Sequence, residues 1–223
     1  MARSAPKRGP GRPARLSRES ILEAALALLE REPHEALTVA RIAAEVDAVP
    51  AALYRHFTSL DELLDFVLGQ VLGGVELEIR RRAAWPEQIR DWMTSLRDHL
   101  LRYPAVLPLI GRRGRTSPAW LDAASVQIEI LERAGLSGAA LARTHLWITE
   151  TTMGLLMQEA GLALPDQIEA ARASLAEMSE AGRARYRPLM PHLARLGGDA
   201  FFAFVTDRTL AALVELVEAK KGR

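Results

Sequence analysis

SRESILEAALALLEREPHEALTVARIAAEVDAVPAALYRHFTSLDELLDFVL, residues 17–68, holds three short helical patterns and the start of a fourth. In the first, Ile21, Ala24, Ala25, Leu28 and Leu29 recur at i, i+3, i+4, i+7 and i+8, one apolar stripe along a helix. Ser17 stands at its N-cap and Pro33 limits it near Arg31. Thr38 occupies the next N-cap, ahead of Val39, Ile42, Ala43 and Val46 as the buried face of two turns. Asp47-Ala48-Val49 makes a short turn. Pro50 then suits the first position of a third helix over 50–57, where no N–H is needed.

Two short helices joined by so tight a turn fit a helix-turn-helix, whose second helix lies in the DNA major groove. On the third helix Leu53 and Phe57 share an inward face at i, i+4. Pro50, Ala51, Ala52, Tyr54, Arg55 and His56 are left looking outward. Small residues let the backbone approach base edges, while Tyr, Arg and His reach phosphate oxygens. An ordinary three-helix nucleus with a solvated face is the bland alternative. The order Thr-x-x-x-Ile-Ala, turn, Leu-Tyr-x-His-Phe weighs against it.

These residues resemble the tetracycline-repressor (TetR) family of bacterial one-component transcription regulators. The resemblance is specific over Ser17–Leu68, including Ser59 and Glu62, read as a capping box that opens helix four. It extends through Leu101-Arg102-Tyr103-Pro104 and the final helix around 201–210. It implies that Thr38 contacts phosphate, that residues 50–52 and 54–56 face the operator, and that Tyr54 and His56 grip the backbone. Two positions depart from the family pattern. Asp47 stands where Gly is usual, and Asp is among the few side chains that tolerate a left-handed backbone. Val49 stands where Ser or Thr usually caps the recognition helix, and it has no acceptor. Pro50, Ala51 and Ala52 offer only methyl contacts, so specificity falls to Arg41, Arg55, DNA shape and the N-terminal arm.

That arm, residues 1–16, has no acidic residue, and together with Arg18 it supplies Arg3, Lys7, Arg8, Arg12 and Arg15 as cations. Gly and Pro between residues 9 and 13 exclude a helix before Ser17. Lys7 to Pro13 is AT-hook-like, with Arg12 at the centre of a Gly-Arg-Pro core that suits a narrow A·T minor groove. A disordered basic tail making phosphate contacts fits equally well. Net charge over 223 residues is only +1, so the positive charge is local, not a uniform coat. There is no cysteine, hence no disulfide frame and no thiolate metal site. No apolar run reaches the length of a membrane span, and no signal-type core follows the basic start. The expected location is the cytoplasm.

Everything past Asp61 reads helical, giving an all-α chain. A helix-turn-helix domain over residues 17–62 is followed by a larger helical effector-binding and dimerisation domain over residues 63–223. Helix four is expected to run to Arg82, with Arg80-Arg81-Arg82 serving the negative end of its dipole. Further helices are expected over 86–102, from Pro104 to near Gly111, from Pro118 to Gly135, from a Ser137 cap to Gly161, and over 166–180. Residues 181–198 read as broken, and Asp199 as the cap of a last helix over 200–220. The long helices 138–160 and 200–218 carry apolar and small residues around more than one face. The resemblance implies a homodimer through them; central core helices are the alternative.

The resemblance also implies a ligand cavity, aligned through Gly135 and Gly154, with Trp92, Leu96, Leu109 or Ile110, Gln127, Ile128 and His145 around it. The family's magnesium-holding His and Glu positions fall on Leu109 or Ile110 and on Gln158. A hard cation wants carboxylate oxygen, so no metal and no cofactor is expected, and the effector is a small apolar organic molecule. Each of these residues also fits as core filler, His145 included. No phosphate loop, metalloprotease motif or nucleophile elbow is present, so the chain is not read as an enzyme. The reading is a repressor that leaves a near-palindromic double-stranded operator on binding its effector. A helix-turn-helix protein without a small-molecule switch is the alternative.

Deleting residues 1–15 removes five of the arm's cations, and is expected to flatten the salt dependence of DNA binding. On the AT-hook reading the loss is larger for operators flanked by A·T tracts, and Arg12→Ala alone reproduces it. Equal losses on A·T- and G·C-flanked duplexes leave only the tail reading.

Overall fold

The computed structural model describes residues 16–31, 37–110 and 118–221. Residues 1–15 of the basic arm, Arg12 among them, and residues 111–117 lie outside this description. Helix α1 (Arg18–Leu29) opens on a reciprocal cap: Ser17 Oγ accepts from Ser20 N at 3.2 Å and Ser20 Oγ accepts from Ser17 N at 3.0 Å. Its stripe Ile21, Ala24, Ala25, Leu28 and Leu29 is buried, as the periodicity requires. Thr38 caps α2 (Val39–Glu45) through Arg41 N at 3.3 Å. Asp47 takes a φ of 49°, the left-handed turn expected of it.

Helix α3 (Pro50–Leu53) is one turn long, shorter than the expected 50–57. Beyond it the chain continues in turns, with His56 N and Phe57 N both donating to the Leu53 carbonyl, at 2.9 and 3.1 Å. Without a side-chain cap at Val49, the helix is anchored instead by burying Leu53 and Phe57.

Helix α4 (Leu60–Gly73) corrects the expected run to Arg82. Gly73-Gly74 ends it, because two residues of high backbone entropy interrupt the propensity to continue. Residues 75–80 form no helix or strand, and along them Val75, Leu77 and Ile79 are half-buried while Glu76, Glu78 and Arg80 are exposed. Helix α5 (Trp85–Leu100) satisfies this strap: Glu78 N donates to Ser95 Oγ at 3.1 Å and Arg80 N to Asp91 Oδ2 at 2.9 Å. Arg80 therefore pairs with Asp91 and Glu87 rather than serving the end of α4. The Ser59–Glu62 box is half formed. Ser59 Oγ takes Glu62 N at 3.1 Å, but the Glu62 carboxylate turns to Thr58 and Arg18.

A 3₁₀ segment (Pro104–Leu109) leads to α6 (Pro118–Arg133), α7 (Gly138–Gly161), α8 (Leu164–Ser174), α9 (Glu180–Tyr186), α10 (Met190–Leu193) and α11 (Gly198–Lys221). Residues 181–198 thus contain two short helices where breaks were expected. Their burial is slight: Met190 alone is buried among the described residues of α8 to α10. Gly135, at φ 102°, turns the chain between α6 and α7. Ser137 makes no side-chain cap for α7; its hydroxyl takes Lys220 Nζ at 3.2 Å, tying the start of α7 to the end of α11. Asp199 lies inside the first turn of α11 rather than capping it. Its carboxylate accepts from Arg97 Nη2 at 2.7 Å, while Arg97 also grips Glu159 at 2.6 and 2.9 Å and stacks on Phe202. One guanidinium so joins α5, α7 and α11. A continuous apolar cluster runs from Ile21 to Val217 through α1 to α7 and α11. Among the described residues no helix is long and apolar enough to cross a membrane.

His99 is buried between α4 and α5. Its Nε2–H donates to the Val71 carbonyl at 2.7 Å and its Nδ1 accepts from Arg102 at 3.0 Å, so the neutral ring satisfies both partners. Burial holds its pKa below the usual 6.5; the Val71 carbonyl and Glu76 oppose this, and Arg102 adds to it. His145 is lowered too, by burial. The unfolded chain therefore binds protons that the folded chain refuses. Stability is full above about pH 6.5 and falls as pH drops below it. Thermal melts between about pH 7 and 5 are expected to show Tm declining, with His99→Gln flattening the decline. A Tm flat across that window contradicts the buried neutral assignment.

Candidate nucleic-acid interface and effector core

The turn at Asp47 sets α3 across α2, and the burial of Leu53 and Phe57 fixes which side of α3 looks out. Pro50, Ala51, Tyr54 and Arg55 are exposed, and Ala52 and His56 half-buried. Arg41 and Thr38 are exposed at the start of α2, although the Thr38 hydroxyl already serves as a cap. Eight of the residues named for DNA contact thus lie on α2 and α3 or beside them, six exposed and two half-buried; Arg12 lies outside the described residues. The surface is a short methyl-rich turn bordered by Tyr54, Arg55 and His56. It can approach base edges closely and hold phosphate at its rim.

Arg18, one of the N-terminal cations, turns to the folded domain. Its guanidinium donates to the His56 carbonyl from Nε at 3.1 Å and Nη2 at 2.7 Å, and to Glu62 Oε1 at 2.7 Å. It also lies over the Phe57 and Phe66 rings, 4.5 and 5.4 Å from their centroids. The signal was available: Arg18, Ile21 and Ala25 lie at i, i+3 and i+7, so Arg18 starts on the side of α1 that carries the buried stripe, although its own side chain stays partly exposed.

Of the residues named for the effector, Trp92, Leu96 and Leu109 belong to the apolar core, Ile110 packs against it and Gln127 meets His145, whereas Ile128 is not among the side chains packed on that core. Trp92, Leu96 and Gln127 have no solvent exposure, and Leu109 is buried. Ile110, Ile128 and His145 are half-buried. The Trp92 indole is satisfied by the Ala123 carbonyl at 2.8 Å. His145 Nδ1 lies 2.6 Å from Gln127 Oε1, and Thr149 Oγ1 approaches the same oxygen at 3.5 Å. Gln127 Nε2 is buried without a hydrogen-bond partner. Such an amide end costs about 1–3 kcal/mol unless something satisfies it. Two open clefts lie elsewhere. One of 230 Å³ is lined by Leu155, Glu159, Leu164, Phe201 and Phe202, where α7, α8 and α11 meet. The other, of 460 Å³, is polar and lies between the 75–80 strap and α5.

The chain matches the family of "Bacterial regulatory proteins, tetR family" over residues 21–67. It matches the "Tetracyclin repressor-like, C-terminal domain" over residues 80–216. An "HTH-type transcriptional regulator" of Saccharopolyspora erythraea is 28% identical over 207 residues, covering 93% of this chain and 86% of that protein. The "HTH-type transcriptional repressor DrrR1" of Streptomyces coeruleorubidus is 28% identical over 239 residues, covering 97% and 83%. Among solved structures, a possible TetR family regulator from Streptomyces coelicolor A3(2) aligns with TM-score 0.76 and 23% identity, over 90% of this chain and all of that one. ActR from Streptomyces coelicolor, solved in complex with actinorhodin, aligns with TM-score 0.72 and 23% identity, over 92% and 99%. The chain belongs to the tetR family of bacterial regulatory proteins: it is a helix-turn-helix transcription regulator and not an enzyme.

Tyr54→Ala is expected to weaken binding to operator and to unrelated duplex in parallel, because phosphate contacts position a protein without reading sequence. Fluorescence anisotropy on both duplexes measures this. A loss confined to the operator assigns Tyr54 to base readout instead.

Proposed function

We propose that this tetR-family regulator is a cytoplasmic homodimeric repressor, released from a near-palindromic operator by a small, largely apolar organic effector. The observation that carries the effector reading is the unpartnered amide of Gln127, buried beside His145 and Thr149. An apolar ligand with one oxygen acceptor satisfies that N–H and takes its remaining affinity from Trp92, Leu96 and Leu109. Leu109, Ile110 and Gln158 offer no ligand of the kind a hard cation prefers, so binding is metal-independent. DrrR1 is named a repressor and ActR has been solved with actinorhodin, in keeping with such a role.

The dimer reading rests on apolar side chains that α7 and α11 leave in water. Leu146, Trp147 and Met157 on α7, and Phe204 and Leu216 on α11, are all exposed. A second copy covering both helices would bury them and set the recognition helices about one turn of DNA apart, roughly 34–36 Å. One observation favours the second reading, a helix-turn-helix protein with no small-molecule switch. Trp92, Leu96 and Gln127 are sealed from solvent, so an effector must displace packed side chains to reach them.

A single titration decides between them. Flat aromatic probes that quench tryptophan fluorescence in the presence of EDTA are expected to lower operator affinity about 5- to 150-fold at saturation, the usual range of allosteric coupling. Gln127→Leu weakens probe binding and leaves ligand-free operator affinity unchanged. Unchanged operator affinity at saturation supports the unswitched reading, and a strict need for magnesium overturns the pocket assignment. Trp147→Glu with Phe204→Glu is expected to yield monomers by light scattering.

A further inference from the structure

The chain between the recognition helix and α4 is gripped at both ends by one ion pair. Arg18, at the start of α1, takes the His56 carbonyl at the end of the recognition turn. Its partner Glu62, in the first turn of α4, spends Oε1 on Arg18 and Oε2 on both the N–H and the hydroxyl of Thr58, each at 2.7 Å. Those Thr58 bonds and the Arg18 contact hold Glu62 below the usual carboxylate range. The same guanidinium lies over Phe57, which closes the recognition turn, and Phe66, which lies on α4. Its direction and number of donors are those of arginine; a lysine ammonium cannot bridge a carbonyl and a carboxylate while stacking on two rings. α3 is one turn long with no side-chain cap, so it needs such an external brace to hold a fixed angle.

We propose that Arg18 is a positioning residue for operator recognition. It locks the recognition turn to α1 and α4 through His56 and Glu62, and it makes no contact of its own with DNA phosphate. This rests on the helix-turn-helix reading, and wild-type binding to its operator is the control that tests that reading separately.

The experiment measures the affinity of full-length wild type and of Arg18→Ala, Arg18→Lys and Glu62→Gln for operator and for unrelated duplex across a salt series. Arg18→Ala is expected to lose about 10- to 100-fold on the operator, the size of a lost charge-assisted hydrogen bond. Binding to unrelated duplex and the slope of log affinity against log salt stay at wild-type values. A tilted recognition helix loses base contacts while the phosphates still attract it. Arg18→Lys fails to restore the operator affinity despite keeping the charge. Glu62→Gln weakens it in the same direction, and the Arg18→Lys, Glu62→Gln double variant is no worse than the poorer single one, as for two parts of one clamp. A phosphate contact gives the opposite pattern: both duplexes weaken together, the slope falls by about 0.9 per lost contact, and lysine rescues. That pattern overturns the proposal. If Arg18→Ala does not fold, Arg18→Lys decides alone: wild-type operator affinity refutes the clamp, and a loss at unchanged slope upholds it.

Discussion

Helix α4 must bury itself twice, and the architecture follows from that. Leu63, Leu64, Val67, Leu68, Val71 and Leu72 are all inaccessible, so α4 presents no wholly solvated apolar face along its length. It packs on α1 of the DNA-binding unit and on α6 and the 3₁₀ segment of the larger bundle. Burying six such side chains on two sides is worth several kcal/mol, and pulling either unit away exposes them. The two units therefore share one continuous core instead of a flexible linker. Any movement of α4 within the bundle would be felt at the recognition turn, because both units pack on the same helix.

Polar groups specify the geometry that the apolar core leaves open. At the far end of α4, His99 takes the Val71 carbonyl, closing the helix after Gly73-Gly74 and holding it against α5. At the near end, Glu62 and Arg18 hold the turn after the recognition helix. Arg97 ties α5 to α7 and α11 through Glu159 and Asp199. These contacts are directional, and a single truncation leaves the partner unpaired at greater cost than the contact itself contributes. Gln127 differs in keeping its amide donor without a side-chain or backbone partner in the core, as Thr206 does its hydroxyl. Native interiors rarely tolerate that without a use for it.

Periodicity and punctuation were enough to recover the helical class, the stripe of α1, the caps at Ser17, Thr38 and Ser59, and the left-handed Asp47. Each is a local property: a 3.6-residue repeat, a side chain reaching an amide three residues on, a backbone angle open to few residue types. The outward set Pro50, Ala51, Tyr54 and Arg55 followed from locating Leu53 and Phe57. That needs only the helical repeat, although α3 itself stops after one turn. Family resemblance, rather than composition, drew attention to Trp92, Leu96, Leu109, Gln127 and His145. The fold collects these from α5, the 3₁₀ segment, α6 and α7.

What the sequence determined by itself was therefore local: where helices start, which face is apolar, and which short turn presents the recognition residues. Where Arg18 and Arg80 point and why Ser137 and Asp199 serve distant partners were decided by tertiary structure. Arg80 pairs with Asp91, Arg18 with Glu62, Arg97 with Asp199 and Lys220 with Ser137. Every one of these partners is separated by at least eleven residues, and by more than a hundred for Arg97 and Asp199. A charged side chain looks the same to a local pattern whether it faces water or a distant carboxylate. Only closing the chain on itself brings the partner within hydrogen-bond range, and that choice outweighs helix-end preferences of a few tenths of a kcal/mol.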